Sequence, residues 1–482
     1  MWTDSASCYQ ALLARDARFD GQFFVGVAST GIYCRPVCRV RVPKRQNCSF
    51  YPSAAAAEAA GFRPCLRCRP ELAPGYASVD ASRRLAHAAA SLIDDGALGD
   101  AGLDQLAARI GTGERHLRRV FAAEFGVTPV AYAQTQRLLL AKRLLTDTRL
   151  PVTEIALAAG FGSLRRFNTL FRERYRLQPR DLRKTPEAAA RGELVFELAY
   201  RPPYAWEPQL GFLALRCAGG VESVSRGRYL RTVAIARGTT VHYGWIAVAH
   251  RARRNTLQVT LSDSLARVVP EVLARVKHLF DLACRPDEIT HQLGALAADR
   301  PGLRVPGAFD GFEMAVRAVL GQQITVRAAS VLAGRLAAAF GEPVKTPFAG
   351  VEHAFPLPAS LAGASGDALG GLGIIRSRQR AIQALATACA AGELVLAPGA
   401  DIERTLEKLR ALPGIGEWTA QYIAMRALAW PDAFPHTDYG VMKALGETAP
   451  RRVLEIAEQW RPWRAYAVVH LWNTLSFKEK TR

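Results

Sequence analysis

Apolar residues recur at helical spacing through the middle of this chain, at Leu103, Leu106, Ala107 and Ile110 and then at Leu117, Val120 and Phe121. That spacing predicts helix after helix over about 76–185. Ahead of it, extended-looking runs at Phe23–Val27 and Ser49–Tyr51 predict short strands. Beyond it, strand-like runs at Leu194–Tyr200, Gly211–Cys217 and Val241–Ala249 give way to helical spacing from about Ser264 to the end. Every Ala-rich stretch is broken by Arg, Asp or Glu, so none approaches the roughly 18 apolar residues of a bilayer span. The order of elements predicts a multidomain α+β protein: a small α/β module, an all-α domain, and a sheet-containing subdomain feeding a second all-α domain.

At 482 residues the chain is long enough for several cores. Its formal charge of +20 favours a polyanionic partner. Polar or proline-bearing joints at Pro70–Tyr76 and Lys184–Arg191 separate three zones with net charges of +5, +7 and +8. An even spread of this kind suggests that each module meets the polyanion, whereas a single basic arm would have concentrated it. The first twenty residues hold Asp4, Asp16 and Asp20 and have no basic-then-apolar layout, which argues against a signal peptide and for the cytoplasm.

Six of the nine cysteines fall within the first 68 residues. In a reducing compartment such a cluster points to a metal or to reactive thiols. Cys34-Arg-Pro-Val-Cys38 and Cys65-Leu-Arg-Cys68 form two close pairs, the layout of a tetrahedral four-cysteine zinc site that would staple a module too small for a robust core. Cys8 and Cys48 fall outside the pairs and read as small hydrophobes. On spacing alone, a purely scaffolding zinc is the simpler reading. Thr30-Gly-Ile-Tyr-Cys34, Asn47-Cys-Ser-Phe-Tyr51 and Ala60-Gly-Phe-Arg-Pro-Cys65 resemble the N-terminal domain of Ada-type methylation-response proteins. The resemblance implies that Cys34 is both zinc ligand and acceptor of a methyl group from a DNA methylphosphotriester, with Thr30, Arg41, Arg63 and Arg67 near the phosphate. Four thiolates on one Zn2+ carry −2, so sulfur stays nucleophilic; a methylated sulfur leaves −1, and affinity for DNA rises.

The helical zone holds two similar stretches, Leu103–Phe121 and Val152–Phe171, each a helix, a glycine-bearing turn and a second helix. The second helices would expose Arg115, Arg118 and Arg119, or Arg165, Arg166 and Asn168. One such stretch would be read as a basic-faced bundle. The pair, closed by Phe125-Gly-Val-Thr-Pro129 and Tyr175-Arg-Leu-Gln-Pro179, resembles the AraC family of transcriptional regulators, implying recognition helices for successive major grooves.

Toward the end, Leu412-Pro-Gly-Ile-Gly416 lies between helical segments, and Asp438 follows in Pro435-His-Thr-Asp-Tyr439. Gly414 and Gly416 would let a tight hairpin offer N–H groups to a DNA phosphate. Taken alone, the first motif also suits any helix–helix turn, and the aspartate suits a helix N-cap. With Arg201-Pro-Pro-Tyr-Ala-Trp206, Leu320-Gly-Gln-Gln323, Gly416-Glu-Trp-Thr-Ala420 and Trp460-Arg-Pro-Trp-Arg-Ala-Tyr466, residues 192–482 resemble the helix-hairpin-helix glycosylases, specifically those of the AlkA type. That resemblance implies Asp438 as the catalytic carboxylate, Trp418, Tyr422 and Trp472 as pocket aromatics, and Gln322, Gln323, Gly414 and Gly416 as DNA contacts. For Tyr422, ordinary core packing reads equally well. Bifunctional relatives carry lysine where this chain has Trp418, so hydrolysis without strand nicking is expected. Where the family has Gln-Leu with leucine as the duplex wedge, this chain has Gln322-Gln323, which leaves the wedge open.

The expected organisation is a zinc methyl-acceptor domain at 1–75, a double helix-turn-helix domain at 76–188, an α+β subdomain at 189–305 and a glycosylase domain at 306–482. Its one expected cofactor is Zn2+. Expected partners are double-stranded DNA bearing alkylated bases or methylphosphotriesters, promoter DNA and RNA polymerase, with no membrane and a nucleoid-associated place in the cytoplasm. No Pro-Cys-His-Arg motif surrounds Cys217, Cys284 or Cys389, so direct reversal of O6-methylguanine is not expected.

Overall fold

The computed structural model describes residues 5–74, 84–94, 96, 98, 102–183 and 192–478. The joint at Lys184–Arg191 and the boundaries expected after residues 75 and 188 lie outside the described residues. Two compact units form: Met1–Pro202 with Arg251–Ala274 and Leu282–Cys284, and Pro203–His250 with Arg275–Asp281 and Arg285–Arg482.

The first unit opens with helix α1 (Ser5–Ala14) and four strands, β1 (Phe24–Val27), β2 (Ile32–Cys34), β3 (Cys48–Tyr51) and β4 (Arg63–Pro64), in the order β3-β1-β2-β4. β1 runs antiparallel to both β2 and β3, while β2 runs parallel to β4. Between β3 and β4 lies the short helix α2 (Ala54–Ala59), capped by Ser53, whose Oγ accepts from Ala56 N–H at 3.0 Å. Cys8 and Cys48 are buried in a small apolar cluster with Phe23 and Val25, as small hydrophobes should be.

Helix α3 (Arg84–Asp94) leads to the first repeat, α4 (Leu103–Arg109) and α5 (Glu114–Phe125), and the long helix α6 (Pro129–Asp147) joins it to the second, α7 (Val152–Ala158) and α8 (Leu164–Tyr175). In α5, Leu117, Phe121 and Phe125 are buried while Arg115, Arg118 and Arg119 are exposed; in α8, Phe167, Phe171 and Tyr175 are buried while Arg165, Arg166 and Asn168 are exposed. A period of 3.6 residues separates the two faces, and burying each aromatic contributes about 1.5–3 kcal/mol. A further antiparallel pair, Glu193–Ala199 with Thr256–Ser262, belongs to this unit.

Glu58 on α2 is deeply buried and accepts hydrogen bonds from Tyr33 Oη at 3.0 Å, Thr135 Oγ1 at 3.0 Å and Tyr175 Oη at 3.4 Å. Burial pushes its carboxyl up from 4.5 to about 7, against the pull of those hydroxyls and of Arg174. An unfolded chain ionises this group near its ordinary value, whereas the folded site keeps the proton for longer. Its contribution to stability is therefore greatest below that ordinary value. It falls by roughly 3 kcal/mol as pH rises to about 7, and then stays flat. Melting curves of wild type and Glu58→Gln should show the variant gaining several degrees on wild type at pH near 8 but not at pH near 4.5; an equal offset at both would refute this.

The second unit begins with helix α9 (Trp206–Ala214). This corrects the strand expected at Gly211–Cys217. Buried Trp206, Gln209, Leu210 and Leu213 recur at helical spacing, and that stripe starts five residues ahead of the strand-like run. An antiparallel meander follows, Glu222–Ser225 with Arg228–Arg237 and Arg228–Arg237 with Thr240–Arg251. The remainder is helical. Helices Ile402–Ala411 and Glu417–Arg426 flank the glycine-bearing turn, and Asp438 immediately precedes helix Tyr439–Leu445. Among the described residues no helix is long and apolar enough to cross a membrane.

Candidate functional site

In the first unit, the Sγ atoms of Cys34, Cys38, Cys65 and Cys68 lie within 4.8 Å of one another. Cys34 ends β2, and Cys65 and Cys68 follow β4, so the parallel β2–β4 pairing brings the two halves of the motif together. Packed so closely, the sulfurs cannot all ionise unaided: hydrogen bonding with Cys34 and then Cys38 holds Cys65 far down, while hydrogen bonding to Cys38 raises Cys34. A divalent cation removes that conflict, and four soft thiolates in a closed set suit Zn2+. The site holds one Zn2+ through these four cysteines.

Main-chain donors divide the sulfurs. Cys68 accepts from Arg35 N–H at 3.3 Å and Cys65 from Arg67 N–H at 3.4 Å, while hydrogen bonding with Cys34 brings Cys38 below its ordinary value. Among the described residues, Cys34 Sγ accepts no main-chain N–H. Arg35, unforeseen from sequence, ties this loop to Asp20 through a buried ion pair and donates to Cys68 O at 3.2 Å. Thr30, Arg41 and Arg67 are exposed and Arg63 is half-buried.

In the second unit the aspartate takes the helix-cap position that its sequence allowed, and its carboxylate also receives two indole N–H groups. Asp438 caps its helix, Oδ1 accepting from Val441 N–H at 3.0 Å, and the same oxygen accepts from Trp472 Nε1 at 2.8 Å. Its other oxygen accepts from Trp418 Nε1 at 3.0 Å. Three N–H donors converge on a carboxylate that remains partly exposed. Trp418 stacks on Tyr422 at 5.2 Å with 14° between planes, and Tyr422 lies 6.3 Å from Trp472.

Several members of this cluster were not foreseen. Phe212 stacks on Trp472 at 6.0 Å, and the Arg216 guanidinium lies 3.6 Å from the Phe212 ring centroid. Arg426 donates to Tyr422 Oη at 2.8 Å and to Pro306 O at 2.7 Å. Burial alone would raise the Tyr422 hydroxyl, but Arg426 and Arg216 bring it below its ordinary value. Gly440 permits the approach of Trp472, since a Cβ there would sit 2.9 Å from Trp472 Cδ1 and 3.1 Å from Asp438 Oδ1.

The hairpin presents Gly414, in the left-handed region at φ +77°, and Gly416, both exposed around buried Ile415. Gln322 fastens this hairpin, its Nε2 donating to Gly414 O at 2.8 Å and Thr419 Oγ1 at 2.9 Å, while Arg378 donates to its carbonyl. Gln323 is exposed and left-handed at φ +55°.

An exposed glycine hairpin between two helices, followed by an indole-held carboxylate, defines a helix-hairpin-helix protein of the DNA glycosylase class. The fold agrees with a solved 3-methyladenine DNA-glycosylase from Archaeoglobus fulgidus, at a TM-score of 0.50 and 22% identity over 59% of this chain and 99% of that one. Family models match the metal binding domain of Ada at 7–71, a helix-turn-helix domain at 106–185 and the AlkA N-terminal domain at 195–310. DNA-3-methyladenine glycosylase 2 of Escherichia coli is 38% identical over 58% of this chain and 97% of its own length. A Mycobacterium tuberculosis protein named "Probable bifunctional transcriptional activator/DNA repair enzyme AlkA" is 40% identical over 98% of this chain and 97% of its own. The chain belongs to that family of bifunctional transcriptional activator/DNA repair proteins, and it binds DNA.

Proposed function

We propose that the chain excises alkylated bases of the 3-methyladenine class by hydrolysing the N-glycosidic bond, and that it takes a methyl group from DNA methylphosphotriesters onto Cys34, which activates DNA binding and transcription. The carrying observation is the partly exposed Asp438, held by three N–H donors beside stacked aromatics. Bond cleavage builds positive charge on the deoxyribose, and a fixed carboxylate stabilises it where it develops. An alkylated purine is already cationic and leaves without a dedicated acid; Trp418, Tyr422 and Trp472 offer it π faces once flipped from the duplex. Tryptophan at 418 supplies no amine for strand nicking. Chromatography of bases released from methylated DNA, with mass spectrometry of the Cys34 peptide after exposure to a methylphosphotriester duplex, tests both activities together.

Gly414 and Gly416 take the phosphate, and Gln323, exposed and strained, is the duplex wedge, with Gln322 positioning the hairpin. Thr30, Arg41, Arg63 and Arg67 serve the phosphate at Cys34. Arg115, Arg118, Arg119, Arg165 and Arg166 face promoter DNA, with RNA polymerase the downstream partner, on the nucleoid in the cytoplasm. The domains run 1–75, 76–188, 189–305 and 306–482. Gly440→Ala provides a separate check. Alanine is the better helix former by about 1 kcal/mol, which offsets part of the cost of moving Trp472, so the unit should stay folded. The displaced Trp472 should nevertheless cut base excision by about 10- to 100-fold. An unchanged excision rate would refute the packing argument.

A further inference from the structure

Helix α2 is six residues long, yet it meets the ends of both recognition helices. At its start the fully buried Ser53 donates to Phe125 O, the last residue of α5, at 2.8 Å. Near its end Glu58 accepts from Tyr175 Oη, on the last residue of α8, at 3.4 Å. The same carboxylate accepts from Thr135 on α6, which joins the two repeats, and from Tyr33, which directly precedes Cys34 in β2. Tyr33 in turn accepts Cys65 N–H on its carbonyl at 3.0 Å. Close contact reinforces the tie: Gly126, at φ +72° just past α5, would press a Cβ to 3.3 Å of Ala56.

We propose that α2 is a register device. Through Ser53 and Glu58 it fixes both recognition helices relative to the strand bearing Cys34, so sequence-selective DNA binding requires the acceptor module to be docked as well as methylated. Buried polar groups that satisfy one another hold a unique arrangement, because sliding any element strands a hydroxyl or a carboxylate away from water. Recognition helices read two grooves only at one separation and tilt, so slack between them costs selectivity before it costs backbone affinity. This inference rests on Cys34 being the methyl acceptor and on the repeats reading DNA.

The test uses the full chain with zinc bound. A duplex is selected from a random library by methylated wild-type protein, and an unrelated duplex of equal length measures non-specific binding. Glu58→Ala should lower affinity for the selected duplex by at least about tenfold, leaving the unrelated duplex within about twofold. Tyr175→Phe, which removes one hydroxyl and keeps the ring, should lower it by about threefold. Glu58→Gln, which keeps an acceptor for the tyrosines and gains a donor for Thr135, should restore most of the selectivity. Zinc content and methyl transfer to Cys34 should be unchanged throughout. Wild-type selectivity in Glu58→Ala with zinc intact overturns the proposal. Should that variant lose zinc, full selectivity in Tyr175→Phe overturns it instead. A wild-type protein that takes no methyl group or selects no duplex would sink the underlying reading.

Discussion

Asp438→Asn is expected to reduce release of 3-methyladenine from methylated DNA by about a thousandfold or more, equivalent to roughly 4 kcal/mol of transition-state stabilisation. The geometry makes this substitution unusually clean. Asparagine caps helices as well as aspartate does, so Oδ1 can keep Val441 N–H and Trp472 Nε1. What changes is the atom facing Trp418 Nε1, where an amide would set donor against donor. That mismatch costs about 1–3 kcal/mol of stability, enough to lower the melting temperature and too little to unfold the unit. Binding to a duplex carrying an uncleavable abasic analogue should stay within about threefold, because the hairpin at Gly414 and Gly416 is untouched. Single-turnover excision assays beside binding titrations separate the two effects. Excision within tenfold of wild type would remove Asp438 from the chemistry and leave it as a helix cap.

The parts of this protein legible in its sequence were those whose signal is local. Two cysteine pairs at fixed spacing and two helix–turn–helix stretches each place their residues within one or two elements, so periodicity and motif suffice. Phe212 was hidden because its segment looked strand-like, and the helical stripe that reveals it begins at Trp206. Arg426 could have been found: Trp418, Tyr422 and Arg426 follow one another at intervals of four and share a helix face. Gln322 and Gln323 could not be told apart, since only tertiary packing turns one toward the hairpin and leaves the other exposed. Glu58 gave no sign at all. It sits in an alanine-rich run, and its three partners lie 25, 77 and 117 residues away along the chain.

Cys34→Ala should abolish methyl uptake from a methylphosphotriester duplex, with no compensating modification of Cys38, Cys65 or Cys68. Hydrogen bonds from main-chain N–H groups draw charge from sulfur, and Cys65 and Cys68 receive them. Cys34 accepts none among the described residues, which leaves its sulfur richer in charge than those of Cys65 and Cys68. Zinc, when bound, keeps the thiolates deprotonated at neutral pH. In the transfer, an S–C bond forms on Cys34 Sγ as the methyl C–O bond breaks; the bonding pair stays on the phosphate oxygen, and no proton or reductant is needed. The sulfur becomes a neutral thioether, so the site passes from −2 to −1 while the DNA regains a full phosphate charge. Removing one unit of repulsion a few ångströms from a phosphate is worth about 1–4 kcal/mol across effective dielectrics of about 80 to 20. Methylated wild-type protein should therefore bind duplex DNA at least about tenfold more tightly than unmethylated protein in low salt, with the advantage shrinking as salt screens it. Peptide mass spectrometry locates the methyl group, and binding titrations across a salt series measure the gain. A methyl group on any other cysteine, or a salt-independent gain, would break the link between sulfur chemistry and DNA affinity.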